Sequence, residues 1–360
     1  MSTTYRIIAV NEIDNALLEI WRAIQSRNEA FASPYFCPEF TLLAGEAIDD
    51  VRVVVIENEG RVTGFFPYQR SFLGMGRPVG GPLSDYHGVI AEADAEWEIE
   101  PLLRAAKLSV WSFNHLVDES HKFDAHVEVR SSSPQIDISL GYAQYAQGRR
   151  EAGSDYIRKT EGLARKMGRE VGELQFTLHE PCGQAMAQLI QWKSAQYQEG
   201  RLPDAFAVGW TNHLLNRIAE SQQDSFAGVC SVLRAGDRIV AIHMGMRSAH
   251  VLHYWFPAYD PEFAKFSTGI ILLLRMAEAL ATMGVRTIDL GEGKSQYKER
   301  LMTGEAAIQK GAVELPSLLA TARRIQRGAE AYVARDGKPK ILSLPLRAIR
   351  RVERMRRYYV

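Results

Sequence analysis

Cysteine is scarce. The 360 residues contain three, Cys37, Cys182 and Cys230. They are far apart and odd in number, with no CxxC pair and no Cys/His cluster. That excludes a disulfide framework and a structural zinc site, and it points to a reducing compartment. Net charge is lacking as well, since 43 Lys+Arg balance 43 Asp+Glu. A neutral chain is not one devoted to nucleic acid, and no DNA partner is expected. No run of about 18 apolar residues occurs, so no membrane-spanning helix is expected. The N-terminus lacks the basic-then-apolar pattern of a secretory signal, and the expected location is cytoplasmic.

What is present is an ordinary globular composition, 46% hydrophobic. At roughly 100–200 residues per domain the length predicts two domains, each large enough for its own core. The neutral total conceals a division. Residues 323–360 hold 12 Arg/Lys and three acids, a charge of +9, which leaves −9 on the rest. Within that end, Leu346, Ile349, Val352, Met355 and Tyr359 share one side of a helical pattern and arginines fill the others, the signature of a basic amphipathic helix. Arg347, Arg350, Arg351 and Arg354 are its candidate anion ligands, with a solvated helix as the bland alternative. An anionic membrane surface, which would make the protein peripheral to the inner face of the membrane, and a regulator such as cyclic di-GMP are the two partners this chemistry would suit.

Two hairpins resemble each other. Val53-Val-Val-Ile56 leads through Gly60 to a second strand at 61–70, and Val229-Cys-Ser-Val-Leu233 leads through Gly236 to one at 238–247. Arg61 aligns with Arg238, Gly64 with Ala241 and Arg70 with Arg247 at a constant offset, which hints at a duplicated domain. Around the second hairpin, helices are predicted at 180–198 and 211–221, strands at 226–234, 238–247 and 250–257, an apolar helix at 268–283 and a strand at 286–290. The 268–283 helix carries only Arg275 and Glu278 as charges, so it should be buried against a sheet. In the first half, helices are predicted at 16–27 and 101–113, a turn-rich stretch at 74–82, and, after the segment 131–139, a polar helix at 142–166. The expected domains are 1–145, 146–320 and a basic extension, 321–360.

Two glycine motifs fail on spacing. Gly291-Glu-Gly293-Lys294-Ser295 ends in GKS, but a phosphate-binding P-loop needs a further glycine where Ile288 stands. Gly74, Gly76 and Gly80 do not follow GxGxxG. A stronger constellation lies around 263–269. Ser267, Thr268 and Gly269 open the buried helix, whose free N–H groups and positive dipole end can hold a phosphate, with Lys265 adding charge. A plain helix cap by Ser267 or Thr268 is the competing reading. Asp289 to Lys298 leaves a strand end and turns, a place where α/β sheets put ligand chemistry. Tyr297 suits a proton donor, Lys298 an electrostatic aid, and Asp289 either a base or a turn cap. His243 faces away from Val240, Ile242, Met244 and Met246 on its strand and is a second candidate base, or a core histidine; the aligned position in the first hairpin is Phe66. Tyr254 is expected near His243 across the hairpin, subject to register. Asp85 and His87, two residues apart in a loop, form a candidate acid–base pair.

The residues Tyr254-Trp-Phe-Pro-Ala-Tyr-Asp260, Phe266-Ser-Thr-Gly-Ile-Ile-Leu-Leu-Leu274 and Asp289-Leu-Gly-Glu-Gly-Lys-Ser-Gln-Tyr-Lys298 resemble the GNAT-like acyltransferases of the CelD/BcsL cellulose-biosynthesis family, relatives of the FemAB transferases. The likeness covers roughly 150–315 specifically and 1–140 loosely. It implies an α/β fold of two tandem GNAT-type domains with mixed, mostly antiparallel sheets, and acyl transfer from acyl-CoA, acetyl-CoA first, to an amine. It further implies that Lys265, Ser267, Thr268 and Gly269 hold the CoA pyrophosphate, although this chain lacks the usual Gln/Arg-x-x-Gly-x-Gly/Ala form there. FemAB relatives use aminoacyl-tRNA instead, which leaves two donors open. The expected site has His243 or Asp289 as base, Tyr297 as acid to the thiolate, Lys298 as an electrostatic aid, and Asp85, His87 and Tyr254 on the acceptor side. The expected acceptor is an amino sugar of a cell-surface polysaccharide such as capsule, cellulose-like or holdfast material. A long-chain sphingoid-type amine at the membrane is one alternative, and a non-catalytic module binding cyclic di-GMP is another.

Overall fold

A computed structural model of the protein describes residues 2–71, 74–181, 183–318, 320, 321, 323 and 325. Cys182 and the arginines at 347, 350, 351 and 354 lie outside the described residues. In chain order the elements are β1 (Thr3–Ala9), α1 (Asn15–Arg27), α2 (Pro38–Ala47), β2 (Val51–Asn58), β3 (Arg61–Arg70), β4 (Met75–Arg77), β5 (Ile90–Ala91), α3 (Ile99–Ala105) and β6 (Val110–Leu116). There follow β7 (Val127–Asp137), α4 (Tyr142–Glu151), α5 (Tyr156–Glu170), β8 (Leu174–Thr177), α6 (Gln184–Glu199), α7 (Gly209–Glu220), β9 (Phe226–Ala235) and β10 (Arg238–Ser248). The last are β11 (Val251–Tyr259), α8 (Thr268–Thr282), β12 (Thr287–Asp289), α9 (Gln296–Leu301) and β13 (Gly304–Glu314).

The chain forms two compact units. One comprises Met1–Arg27, Ala44–Arg130 and the chain from Gln309, the other Asn28–Leu43 and Ser131–Ile308. The first pairs its strands in the order β1-β2-β3-β4-β6-β13, the second in the order β8-β9-β10-β11-β12-β7. Both follow one pattern: three antiparallel pairings, a parallel one, then a final antiparallel one. The likeness of the two hairpins is therefore part of a likeness of whole sheets. The units interleave along the chain, where contiguous domains at 1–145 and 146–320 were expected, because the strand closing each sheet is remote in sequence from its neighbour. Gln309 to Glu314 closes the first against β6, and Gln135 to Asp137 closes the second against β12. Local periodicity carries no information about such pairings.

Two predicted helices are corrected. The 101–113 helix ends at Ala105, Lys107 takes a positive φ of 55°, and Val110–Leu116 becomes a strand. That stretch is rich in Val, Trp and Phe, which suit a pleated surface better than a helix. The 142–166 helix is two, α4 and α5, parted at Gly153 with φ 83°. Strands β1, β8 and β13 and helix α2 were not anticipated.

The first unit's core is aromatic, with Phe66 stacked on Tyr68 and edge-on to Trp111, which also meets Phe113 and Phe123. The second unit's core is aliphatic and centres on α8, whose Ile271, Leu272, Leu273, Leu274, Met276 and Leu280 are almost fully buried. At roughly 1.5–3 kcal/mol for each such side chain, α8 is the main anchor of that unit. Helix α8 crosses from the end of β11 to the start of the parallel β12, and Gly284, with φ 82°, follows its last turn. Among the described residues no helix is long and apolar enough to cross a membrane.

Arg275 is the one cation of α8, and it spans to α5 with both guanidinium nitrogens on Glu161, at 2.7 and 2.8 Å. This hydrogen-bonded pair holds the Glu161 carboxyl below its ordinary range and the arginine above its own. A carboxyl depressed on folding stabilises the protein above its unfolded pKa of about 4.3, and that contribution is lost as pH falls through the folded value. Arg275→Met should therefore cost about 1 kcal/mol at neutral pH. Urea unfolding at a series of pH values should show the gap between wild type and variant closing below about pH 4.

Candidate functional site

In the second unit β11 and β12 run side by side from the Val251–Thr287 pair to the His253–Asp289 pair. There β12 ends, while β11 continues to Tyr259, so its edge beyond His253 has no β12 strand beside it. On its other side β11 is irregular: Met244 pairs with Phe256 but Met246 with His253, so Tyr254 and Trp255 bulge opposite Gly245. This places Pro257, not Tyr254, directly opposite His243. Gly245 is required there, because a Cβ would run into the His253 carbonyl oxygen and lie 2.6 Å from His243 Cε1.

The bulge brings Tyr254 to His243 all the same. Their rings stack at 4.5 Å and 5°. His243 is completely buried and neither ring nitrogen makes a hydrogen bond. Burial drives its pKa far below the ordinary histidine value, and His253 and Lys193 push it the same way. The imidazole is therefore neutral at physiological pH. Tyr254, also buried, directs its hydroxyl at the Gly269 carbonyl oxygen, 3.5 Å away at the start of α8. Burial, then the neighbouring Tyr297, raises its pKa. Tyr297 itself is pushed up to about 12 by burial, against a smaller lowering by a hydrogen bond with Ser295. A phenol protonated across the physiological range suits the donor part expected of it.

Asp289 and Lys298 both sit in hydrogen-bond networks at the end of β12. The Asp289 carboxylate accepts from Ser133 Oγ at 2.7 Å, Gln135 Nε2 at 3.0 Å and Gly291 N at 2.9 Å, and His253 Nδ1 lies 3.4 Å away. Lys298, buried, donates to the carbonyl oxygens of Gly291 and Glu292 at 2.9 and 3.1 Å, so its ammonium shapes the loop after β12 in place of steering an anion.

At the opening of α8, Ser267 sits at the N-cap in left-handed backbone, φ 55°, and its hydroxyl makes no cap bond. The plain-cap reading therefore fails for Ser267. The Thr268 hydroxyl is buried and also makes no hydrogen bond. Such an orphan costs about 1–3 kcal/mol, and it lies beside first-turn N–H groups that have no acceptor within the helix. Gly269 keeps the approach open, with only Tyr259 Cδ1 in ordinary contact range of an added Cβ, at 3.6 Å. Lys265 is exposed, 3.7 Å from Glu170 and above the Phe266 ring.

Asp85 and His87 lie in the first unit and do not pair. Asp85 Oδ1 is 4.0 Å from His115 Nε2, and both nitrogens of buried His87 make no hydrogen bond. Burial, then His115, lowers the His87 pKa far below normal. Leu108 and Trp111 occupy the space over Gly76 on the parallel β4–β6 pair, and Phe66 takes the place of His243.

Sequence reasoning missed His253, Lys193 and Tyr35. Lys193, on α6, has its pKa lowered to about 8 by burial and acts electrostatically on His243. Tyr35 meets His253 edge-on at 5.1 Å and Trp255 at 5.8 Å. His253 carried a faint signal, since it shares one predicted hairpin with His243 and His250.

Residues 156–299 match the family model described as an acetyltransferase (GNAT) domain. No curated protein matches the chain. Among solved structures, FemX is similar with a TM-score of 0.60 and 8% identity, over 90% of this chain and 100% of that one. The C-terminal domain of a protein assigned as a lysylphosphatidylglycerol synthetase from Agrobacterium fabrum gives 0.52 and 12%, over 88% and 96%. A tandem GNAT protein from the clavulanic acid biosynthesis pathway gives 0.50 and 10%, over 88% and 100%. At such identities these likenesses concern the fold, which is of the tandem GNAT type. The matched domain, residues 156–299, supports an acyl-CoA-dependent acyltransferase.

Gly245→Ala tests the site's packing. Overfilling of this kind costs about 1–3 kcal/mol or more, and chemical denaturation should show at least that loss; a neutral result would mean that the His243–Tyr254 stack does not need the glycine.

Proposed function

We propose that the second unit transfers an acyl group, acetyl in the first instance, from acyl-CoA to the amine of a sugar in a cell-surface polysaccharide. The observation that carries the donor half is the divergence of β11 from β12 at the start of α8. An unpaired strand edge suits the amide groups of a pantetheine arm, which can bond to it as a strand would. The free N–H groups of Thr268 and Gly269, the dipole end of α8 and the orphan Thr268 hydroxyl suit a pyrophosphate. These residues fit the co-substrate, and the neutral, protonated Tyr297 is in the state needed to give a proton to the departing thiolate.

The acceptor half rests on the resemblance to the CelD/BcsL proteins, and a sphingoid-type amine is its competitor. The Arg-rich end, with its membrane-surface and cyclic di-GMP readings, lies outside the described residues and adds nothing to the choice. Free-thiol release from acetyl-CoA, on adding a glucosamine-bearing oligosaccharide or sphinganine, separates the acceptors. Release with the sugar alone is expected; release with sphinganine alone would replace the polysaccharide reading with the lipid one.

Gly269→Asp tests the donor site. An aspartate in the first helical turn favours the α8 dipole, so thermal stability should hold or rise slightly. Calorimetric binding of acetyl-CoA should weaken at least tenfold, and unchanged binding would remove the α8 opening from the donor site. Tyr297→Phe should lower turnover about 10²-fold, a general-acid contribution, and leave acetyl-CoA affinity within a few-fold.

A further inference from the structure

Helix α6 carries a lysine against the sheet of the second unit where no acid meets it. Its buried Met186 and Leu189 are three residues apart and Lys193 comes four further on, so the lysine continues the face that packs inward. That helix packs on β9, β10, β11 and the turn at 205–207. None of these four elements contains an Asp or Glu, and the one acid of α6 is Glu199, its last residue. Asp204, just before the turn, caps it by accepting from the Phe206 N–H. Lys193 Nζ donates to Gln196 Oε1, a neutral acceptor on its own helix, at 3.3 Å, and it makes no ion pair among the described residues. A buried ammonium without a countercharge gives up its proton readily, and burial brings the Lys193 pKa down to about 8. A connected row of side chains links this lysine to the donor site. It acts electrostatically on His243, whose ring stacks on Tyr254. Tyr254 reaches the Gly269 carbonyl oxygen at the opening of α8 and interacts electrostatically with Tyr297. Lys193 and Tyr297 are the two ends of that row.

We infer that Lys193, as the free amine, takes the proton from the attacking acceptor amine; this rests on the acyl-transfer reading above. The two bases that the sequence suggests are less accessible. His243 has no exposed surface, and its Cε1 and Nε2 lie against Gly245, 2.6 and 2.7 Å from where a Cβ would stand. Tyr254 covers one face of the same ring. The Asp289 carboxylate already accepts from Ser133, Gln135 and the Gly291 N–H. Lys193 differs from both. It is only half-buried, its amine rides on a flexible four-carbon stem, and when neutral it keeps a lone pair while one N–H stays on Gln196. A lysine tuned toward neutral pH by burial is suited to general-base work. As the amine nitrogen bonds to the thioester carbonyl carbon, the Lys193 lone pair accepts the proton that nitrogen loses, and the lysine becomes an ammonium. The C–S bond then breaks, and Tyr297 supplies the proton that the thiolate takes up. The products are the amide and the free thiol, and Lys193 and Tyr297 return to their starting states by proton exchange with water.

The test uses the full-length protein in two measurements, with variants that separate a proton acceptor from a fixed positive charge. Thiol release from acetyl-CoA is followed with whichever of the glucosamine oligosaccharide and sphinganine the wild type uses. K193M should lose about 100-fold or more in kcat, the scale of a general-base contribution, while its calorimetric affinity for acetyl-CoA stays within threefold. K193R should lose about as much, because a guanidinium keeps its proton throughout the working pH range. Either variant turning over within tenfold of the wild-type rate overturns the proposal. Activity in K193R alone would mean that Lys193 supplies charge, as in holding an acidic group of the acceptor. The second measurement is side-chain NMR of protein labelled with ¹³C,¹⁵N-lysine, Lys193 being assigned against K193M, or against K193R if K193M does not fold. Lys193 should titrate near pH 8, and a Lys193 still fully protonated at pH 10 overturns the proposal. A wild type that binds no acetyl-CoA instead overturns the acyl-transfer reading itself, a result distinct from the others.

Discussion

The carboxylate of Asp289 is the contact on which the second unit's site depends. It ends β12, draws in Ser133 and Gln135 from β7, ties down the Gly291 N–H and faces His253 on β11. One buried anion thus fixes where two parallel strands stop pairing and how the next loop leaves. A buried charge of this kind is tolerable only when it is fully hydrogen-bonded, and the surrounding donors satisfy that demand. Lys298 extends the same network by capping the carbonyl oxygens of Gly291 and Glu292. The loop reads as a motif in sequence but acts as scaffolding.

The two units show what a common sheet pattern can become. In the first, Leu108 and Trp111 pack over Gly76 on the parallel β4–β6 pair, and Phe66 joins an aromatic core with Tyr68 and Trp111. In the second, the corresponding hairpin has His243, a bulge at Tyr254 and Trp255, and a glycine opposite them. The second unit also spends fifteen residues on α8 where the first spends seven on α3. The long apolar helix presents its N-terminal N–H groups firmly, because eight of its fifteen residues are buried. Orphaned buried polar atoms, the Thr268 hydroxyl and both His243 nitrogens, collect at this end of the unit. Native proteins seldom leave such atoms unpaired without a functional reason.

How legible was this in the chain? The apolar period of 268–283, the hairpins around Gly60 and Gly236, and the opening of α8 at Thr268 were all readable, since each depends on neighbours a few residues apart. The helix predicted at 101–113 failed because a glycine-free bend at Lys107 left no composition signal, and the strand at Val110–Leu116 is held by β4 and β13 partners remote in sequence. Among site residues, Tyr254 and Gly269 were found and do meet, through a hydroxyl-to-carbonyl contact. Asp85 and His87 were paired by proximity in sequence, yet Asp85 faces His115. Two residues in a loop share no periodicity that would make them converge.

By itself the sequence determined the α/β character, the repeated hairpin, the buried α8 helix and the residues with chemistry worth following, because these follow from composition and short-range pattern. Only the tertiary structure decided their parts. It interleaved the two units by closing each sheet with a distant strand, turned Asp289 and Lys298 from reactants into supports, covered His243 with Tyr254, and set His253 beside a fixed carboxylate. The reason is physical: the pKa, partners and access of a side chain depend on what is packed around it, and those neighbours come from segments that only folding brings together.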